Sequence, residues 1–192
     1  RMLRCDPDRV SVLPHGVLET PRTGLSRREA RLKLGIDGNA RVALCFGNIR
    51  PYKGVDVLIR AFAEVAREDP RALLVIAGQP WGDWAPYQRL IGELDLKDRI
   101  LLRLEYIPAN EIEPYFVAAD AVVLPYTHFD AQSGVGMRAL PFGRPLIVTN
   151  TGGLPDLVLD QDSIIPAGNA DSLARAISRV LSDEALRDRL SV

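Results

Sequence analysis

The residues of this chain best able to do chemistry cluster in three short segments. The first is Gly47-Asn48-Ile49-Arg50-Pro51-Tyr52-Lys53-Gly54, between an apolar run and an amphipathic stretch. Its glycines permit close backbone approach, and Lys53 sets a cation beside a helix start. Helix-end amides together with a cation suit a phosphate. The same residues also serve as an ordinary strand-to-helix loop with a solvated lysine, and their spacing does not fit the GxxxxGK phosphate loop. The second segment is Thr127-His128-Phe129-Asp130-Ala131-Gln132-Ser133-Gly134-Val135-Gly136. Here Ser133 and Gly134 leave amides free to face an anion, or Ser133 simply caps a helix. Gly134-x-Gly136-x-x-Ala139 matches the dinucleotide pattern only loosely, because about seven loop residues precede it and no acid ends the next strand. The third is Thr151-Gly152-Gly153-Leu154-Pro155-Asp156, a glycine pair that either approaches a ligand or turns the chain.

The elements that position these segments alternate along the chain. Strands are expected at Val10–Leu13, Arg41–Phe46, Ala72–Ala77, Arg99–Leu104, Ala121–Leu124, Pro145–Thr149 and Ser163–Ile165. Helices are expected from Ser26, whose spacing to Glu29 makes a capping box, to Leu34, and over Gly54–Arg67, Asp83–Leu94 and Asn110–Ala118. Further helices are expected over Ser133–Phe142 and Asp171–Leu181, with a last one from Asp183. Asn110 is read as a helix cap. The inner strands are apolar without alternation, so both faces must be covered, and parallel strands with helices on both sides follow. The expectation is a doubly wound, mostly parallel Rossmann-like α/β sheet of about six strands, built as one domain over residues 1–192. Such folds bind ligands at the carboxyl ends of their strands, where the three segments lie.

Composition narrows the function classes. The chain has 192 residues, 24 Lys plus Arg against 25 Asp plus Glu, and 47% apolar residues. Near-zero charge removes a bulk drive toward nucleic acid or anionic membrane, and the apolar content excludes disorder. A chain of this size buries roughly 70% of its unfolded surface, enough for a sizeable core. No apolar run approaches the ~20 residues of a membrane span. Two distant cysteines, Cys5 and Cys45, and two histidines, His15 and His128, make neither a disulfide framework nor a metal-ligand pattern. Cys45, inside an apolar run, reads as a buried thiol. The chain opens Arg1-Met2-Leu3-Arg4, with no apolar signal segment, and is expected to be a fragment.

An ordered set of short motifs resembles the C-terminal, nucleotide-sugar-binding half of a group 1 (family 4) glycosyltransferase of the GT-B type. The set comprises Val12-Leu13-Pro14-His15-Gly16-Val17, Gly47 through Gly54, and Val75-Ile76-Ala77-Gly78. It continues with Ala119-Asp120-Ala121-Val122-Val123-Leu124-Pro125, then Gly143-Arg144-Pro145-Leu146-Ile147-Val148-Thr149 running into Gly152-Gly153-Leu154-Pro155-Asp156. The resemblance covers about residues 8 to 190, with residues 1–8 as a tail from the interdomain linker. It implies transfer of a sugar from a UDP-sugar or GDP-sugar with retention, needing no metal or other cofactor. A basic pair would clamp the diphosphate leaving group.

On that resemblance Lys53 matches the family's lysine, while the family's arginine falls on Asn48, so Arg50 is the expected substitute. The family's two glutamates, eight positions apart, fall on Asp130 and Arg138. Asp130 can keep a shortened version of the first role; Arg138 only donates and cannot accept from ribose hydroxyls. Gln132-Ser133-Gly134 resembles a variant of this loop within the wider family, with Val135 next to it. Base recognition would map to Tyr106-Ile107-Pro108, centred on Ile107. Gly47 would be among the donor-binding residues, Gly78 would line the cleft floor, and Trp81 and Trp84 would stack on a base or sugar or simply pack. The remaining partners implied are the chain's own N-terminal domain, expected to be absent from these residues, and an acceptor glycan or lipid-linked glycan; nucleic acid is not among them. The implied location is cytoplasmic, with peripheral contact at the inner membrane face open to the full-length enzyme. The isolated domain is expected to be inactive or nearly so. Two alternatives stay open: a non-catalytic relative that uses the cleft for binding, favoured by Asn48 and Arg138, and a dinucleotide-dependent enzyme.

Overall fold

The computed structural model describes residues 11, 16–17 and 22–191. The expected strand Val10–Leu13, apart from Ser11, and the linker tail, Cys5 and His15 lie outside the described residues.

Six parallel strands form one sheet: β1 (Arg41–Phe46), β2 (Ala72–Ala77), β3 (Ile100–Arg103), β4 (Ala121–Leu124), β5 (Leu146–Thr149) and β6 (Ile164–Ile165). Their order is β3-β2-β1-β4-β5-β6, with every pairing parallel. The strands are short and mostly apolar, and their period of two divides them between two cores. Ala43 and Cys45 of β1 join Leu74, Ile76, Val123 and Ile147 on one face. Val42, Leu44 and Phe46 join Val75, Val122, Leu124 and Val148 on the other.

Helices α2 (Val55–Glu68), α3 (Ala85–Glu93), α6 (Ala170–Ser182) and α7 (Glu184–Leu190) cover the first face. Helices α1 (Arg27–Leu34), α4 (Glu113–Ala118) and α5 (Gly134–Ala139) cover the second. Their ends follow local chemistry. Ser26 and Glu29 make the reciprocal cap of α1, which Gly35 ends in the left-handed conformation. Asp83 accepts the amide of Ala85 at 2.9 Å, and α3 starts at Ala85, two residues after the expected Asp83, behind Trp84. Asp183 caps α7 through the amide of Leu186.

One expected cap is corrected. Asn110 does not cap α4; it lies inside a 3-10 turn over Ala109–Glu111 closed by Glu111 donating to the Pro108 carbonyl at 2.9 Å. The α-helix begins at Glu113, behind Ile112, with Pro114 in its first turn where no N–H is required.

The sheet order reverses between β1 and β4. These strands pair only through Ala43 with Ala121 and Leu44 with Val122. Beyond those pairs their carboxyl ends part, and a crevice opens at the topological switch point, the place where doubly wound sheets hold ligands.

Candidate functional site

A cavity of about 530 Å³ occupies that crevice. Its walls come from the loops after β1, β2, β3 and β4 and from the half-buried flank of α5. Eleven of the twelve residues singled out from the sequence line it: Gly47, Asn48, Arg50, Lys53, Gly78, Ile107, Gln132, Ser133, Gly134, Val135 and Arg138. The twelfth, Asp130, does not. Its side chain is exposed and pairs with His128 at 3.3 Å.

Close backbone packing shapes the β1 side. Gly78 has φ +146°, and a Cβ there would stand 2.3 Å from the Gly47 carbonyl oxygen. A Cβ on Gly47 (φ +91°) would meet a Val135 methyl at 2.8 Å and the Lys53 ammonium at 3.2 Å. Pro51–Lys53 then forms a single 3-10 turn ended by Gly54 in the left-handed conformation. That turn folds Lys53 back under its own loop. Its Nζ lies 3.5 Å from the Phe46 carbonyl and 5.5 Å from the centre of the Tyr126 ring.

Lys53 is only 6% exposed and has no carboxylate partner among the described residues. Burial depresses its pKa first. Cys45 acts in the opposite sense, and the nearby Arg50 charge depresses it further. Burial also pushes the Cys45 thiol up to about 11, so it is neutral at physiological pH and supplies no counter-charge. A buried, uncompensated ammonium favours any anion that enters beside it.

The β4 side is aromatic. Tyr52 stacks on Phe129 with ring centres 5.6 Å apart, and Tyr126 meets both edge-on. Thr127 donates its amide to the Tyr52 carbonyl at 2.8 Å and ties the two loops together. The Tyr126 hydroxyl lies 3.0 Å from Ser133 Oγ, which also accepts the Gly136 amide at 3.2 Å. Ser133 is therefore the N-cap of α5, and its hydroxyl is engaged within the protein. Gly134 and Val135, the first residues of α5, face the cavity beyond it.

The remaining cations are Arg50 and Arg138. Arg50 is half-buried, and its guanidinium carbon lies 4.1 Å from the centre of the Trp81 ring. Arg138 is half-buried on the α5 flank. The lining holds these three cations and no carboxylate. Neither tryptophan belongs to the lining: Trp81 packs on Arg50, and Trp84 stacks on Tyr87 at 4.9 Å.

Two glycine signals serve the walls. Gly152 (φ +51°) backs onto the Phe129 carbonyl, where a Cβ would sit 2.4 Å away, and Gly153 donates to the Ala131 carbonyl at 3.1 Å. The glycine pair thus turns the chain and props the β4 loop. Gly136 lets Leu157 close onto α5, where a Cβ would meet it at 2.3 Å. The sequence reading missed Phe46, Tyr52, Ala109, Ile112, Tyr126 and Phe129 as lining residues. The aromatic residues beside Lys53 and at the end of β4 were the available signal. No group of three metal-ligating side chains occurs among the described residues, and no helix of the described residues is long and apolar enough to cross a membrane.

Comparison with known proteins places this architecture. The chain is 32% identical over 195 residues to the D-inositol 3-phosphate glycosyltransferase of Corynebacterium efficiens, covering 96% of this chain and 46% of that one. It therefore spans about half the length of the curated relatives it matches. Among solved structures, sucrose-phosphate synthase from Thermosynechococcus elongatus superposes with a TM-score of 0.74 at 26% identity, over 85% of this chain and 42% of that one. Anabaena HepE in complex with UDP-glucose shares the fold with a TM-score of 0.76 at 21% identity, over 86% and 45% of the two chains. A family model described as "Glycosyl transferases group 1" matches residues 26–191, and the chain belongs to that family, with the GT-B type of nucleotide-sugar-utilising fold.

Proposed function

We propose that this cavity holds the nucleoside diphosphate of a sugar donor and that the chain is the donor-binding half of a retaining glycosyltransferase. The observation that carries the reading is the buried Lys53 without a counter-ion, in a crevice lined by three cations and no acid. As the bond from the sugar's anomeric carbon to the phosphate oxygen breaks, its electron pair stays on the diphosphate. In this reading Lys53 and Arg50 stabilise that growing charge. The first amides of α5 add dipoles of the same sense. The aromatic wall of Tyr52, Tyr126 and Phe129 limits hydration and strengthens each of these interactions.

Relatives of this chain are about twice its length, and in this reading an N-terminal domain binds the acceptor. The reading therefore gives this chain nucleotide binding without turnover. No base preference is assigned: the donor is a UDP-sugar or a GDP-sugar, and the Ile107 rim is where the base would rest. Asp130, on the outer side of its loop, would need to swing inward to reach a donor sugar.

A second reading is favoured by Asn48 and Arg138. With no carboxylate in the lining to accept from ribose hydroxyls, the chain would be a non-catalytic relative that binds through the same crevice. Isothermal titration with UDP and GDP, alongside a donor-consumption assay of this chain alone and of the full-length protein, separates these. Micromolar to millimolar nucleotide binding, negligible turnover by the chain and turnover by the full-length protein support the first reading. Full-length protein that binds without turnover supports the second. Robust turnover by this chain alone would overturn the division of labour.

A further inference from the structure

The loops after β1 and β2 do more than run side by side. Ile49 donates its amide to the Gln79 carbonyl at 2.9 Å, and Trp81 donates its amide to the Ile49 carbonyl at 2.8 Å. Ile49 and Pro80 form a parallel bridge that extends the β1–β2 ladder past the end of the sheet. This zipper places Trp81 directly under the next residue, Arg50, whose guanidinium carbon lies 4.1 Å from the centre of the indole ring. Trp81 is 57% exposed, so little of it is used for core packing. Among the described residues Arg50 makes no ion pair and accepts no other restraint on its guanidinium, yet it lines the cavity while Trp81 does not.

We infer that Trp81 is a positioning residue that holds the Arg50 guanidinium at the cavity rim, facing the diphosphate. This rests on the proposed function, and it explains how a chain with Asn48 at the start of the loop still presents two cations to one ligand. An unrestrained arginine on a rim samples many rotamers, and binding must order it. A guanidinium already stacked on an indole has lost that freedom beforehand and stays free to donate in its own plane. Phe and Tyr offer the same kind of face to a guanidinium, with a smaller quadrupole than Trp. Backbone amides, not the indole, make the zipper, so it survives changes at the Trp81 side chain.

The test is a double-mutant cycle on UDP affinity, with Trp81→Ala, Trp81→Phe, Arg50→Ala and the combined Trp81→Ala/Arg50→Ala, each checked by thermal melt. Trp81→Ala is expected to weaken UDP by about twofold to fivefold, at most the worth of an exposed cation–π contact. Trp81→Phe should stay within about twofold of the parent, and in the Arg50→Ala background Trp81→Ala should change nothing further. A residue that merely supported the loop would weaken UDP equally in both backgrounds and would not be rescued by Phe; that result overturns the inference. So does an unchanged affinity in Trp81→Ala. Failure of the underlying reading looks different: neither UDP nor GDP binds the parent chain, or the one that binds does so with no dependence on Lys53, and either outcome overturns both; where GDP is the nucleotide bound, the cycle is run with GDP. Binding that depends on Lys53 but not on Trp81 overturns this inference alone.

Discussion

Gly54→Ala is the sharpest perturbation of the architecture, because two independent effects meet at one atom. Gly54 has φ +64°, and a Cβ there would lie 2.1 Å from the Pro125 carbonyl oxygen and 3.1 Å from a Thr127 methyl. The left-handed backbone alone costs a non-glycine residue about 1–2 kcal/mol. The overlap must be relieved by moving the backbone after β4, and overpacking of that kind costs about 1–3 kcal/mol. The sum is about 2–5 kcal/mol, a large part of the ~5–15 kcal/mol that holds a domain folded. For a chain of this length each kcal/mol moves the midpoint by about 2–4 °C, so Tm should fall by about 4–20 °C. Gly168→Ala is the matched control: its φ is +72°, and nothing lies within 4 Å of its Cβ position. It should show only the backbone share, about 1–2 kcal/mol. Urea unfolding of both variants, read by the shift in midpoint at constant slope, isolates the contact. If Gly54→Ala is no more destabilising than Gly168→Ala, the loops after β1 and β4 do not touch, and the cavity described here has lost its second wall.

Other consequences follow from buried charge. Because burial depresses the Lys53 pKa in the folded protein, the unfolded chain binds more protons between that lowered value and about 10.4, so stability should rise with pH across that window. Comparing thermal melts of the parent and Lys53→Met between neutral pH and pH 10 checks it: the difference between them should shrink as pH rises, and a parallel offset would refute it. Asp120 is buried at the opposite end of the sheet, where it accepts from Arg31 at 2.9 Å and from the Val42 amide at 2.8 Å and pairs with Arg27. Asp120→Ala leaves the buried Arg31 without its anion and should cost about 3–5 kcal/mol in chemical unfolding, with nucleotide affinity measured below the midpoint unchanged.

Much of this architecture is legible in the sequence. The limits of β1, β2 and β4 agree with the sequence reading because strands covered on both faces are almost wholly apolar, Arg41 at the start of β1 being the one charged residue in the three. Ser26 with Glu29, Gly35 and Ser133 mark helix ends through chemistry confined to a few residues. The start of α4 was not legible, since a 3-10 turn closed by the Pro108 carbonyl competes with Asn110 for the cap role. Lys53, Gly47 and Gly134 converge because the strand order reverses between β1 and β4, and the sites at that reversal come from loops already suspected on spacing. What spacing hides is contact between loops. The stack of Arg50 on Trp81 and the prop of Gly152 under Phe129 join residues about thirty and twenty positions apart, and neither leaves a local pattern. Asp130 illustrates the same limit: its neighbours Phe129 and Gln132 line the cavity while its own side chain lies outside the lining and pairs with His128.

The central claim is that a buried lysine without a counter-ion recognises the diphosphate of a nucleotide donor. Isothermal titration of UDP into this chain and into Lys53→Ala, at fixed pH and salt with folding verified by melt, tests it most directly. A charge-assisted hydrogen bond of about 1.5–3 kcal/mol predicts that the substitution weakens UDP by roughly 10- to 150-fold while leaving the chain folded. Equal affinity for UDP in the two proteins would contradict the account.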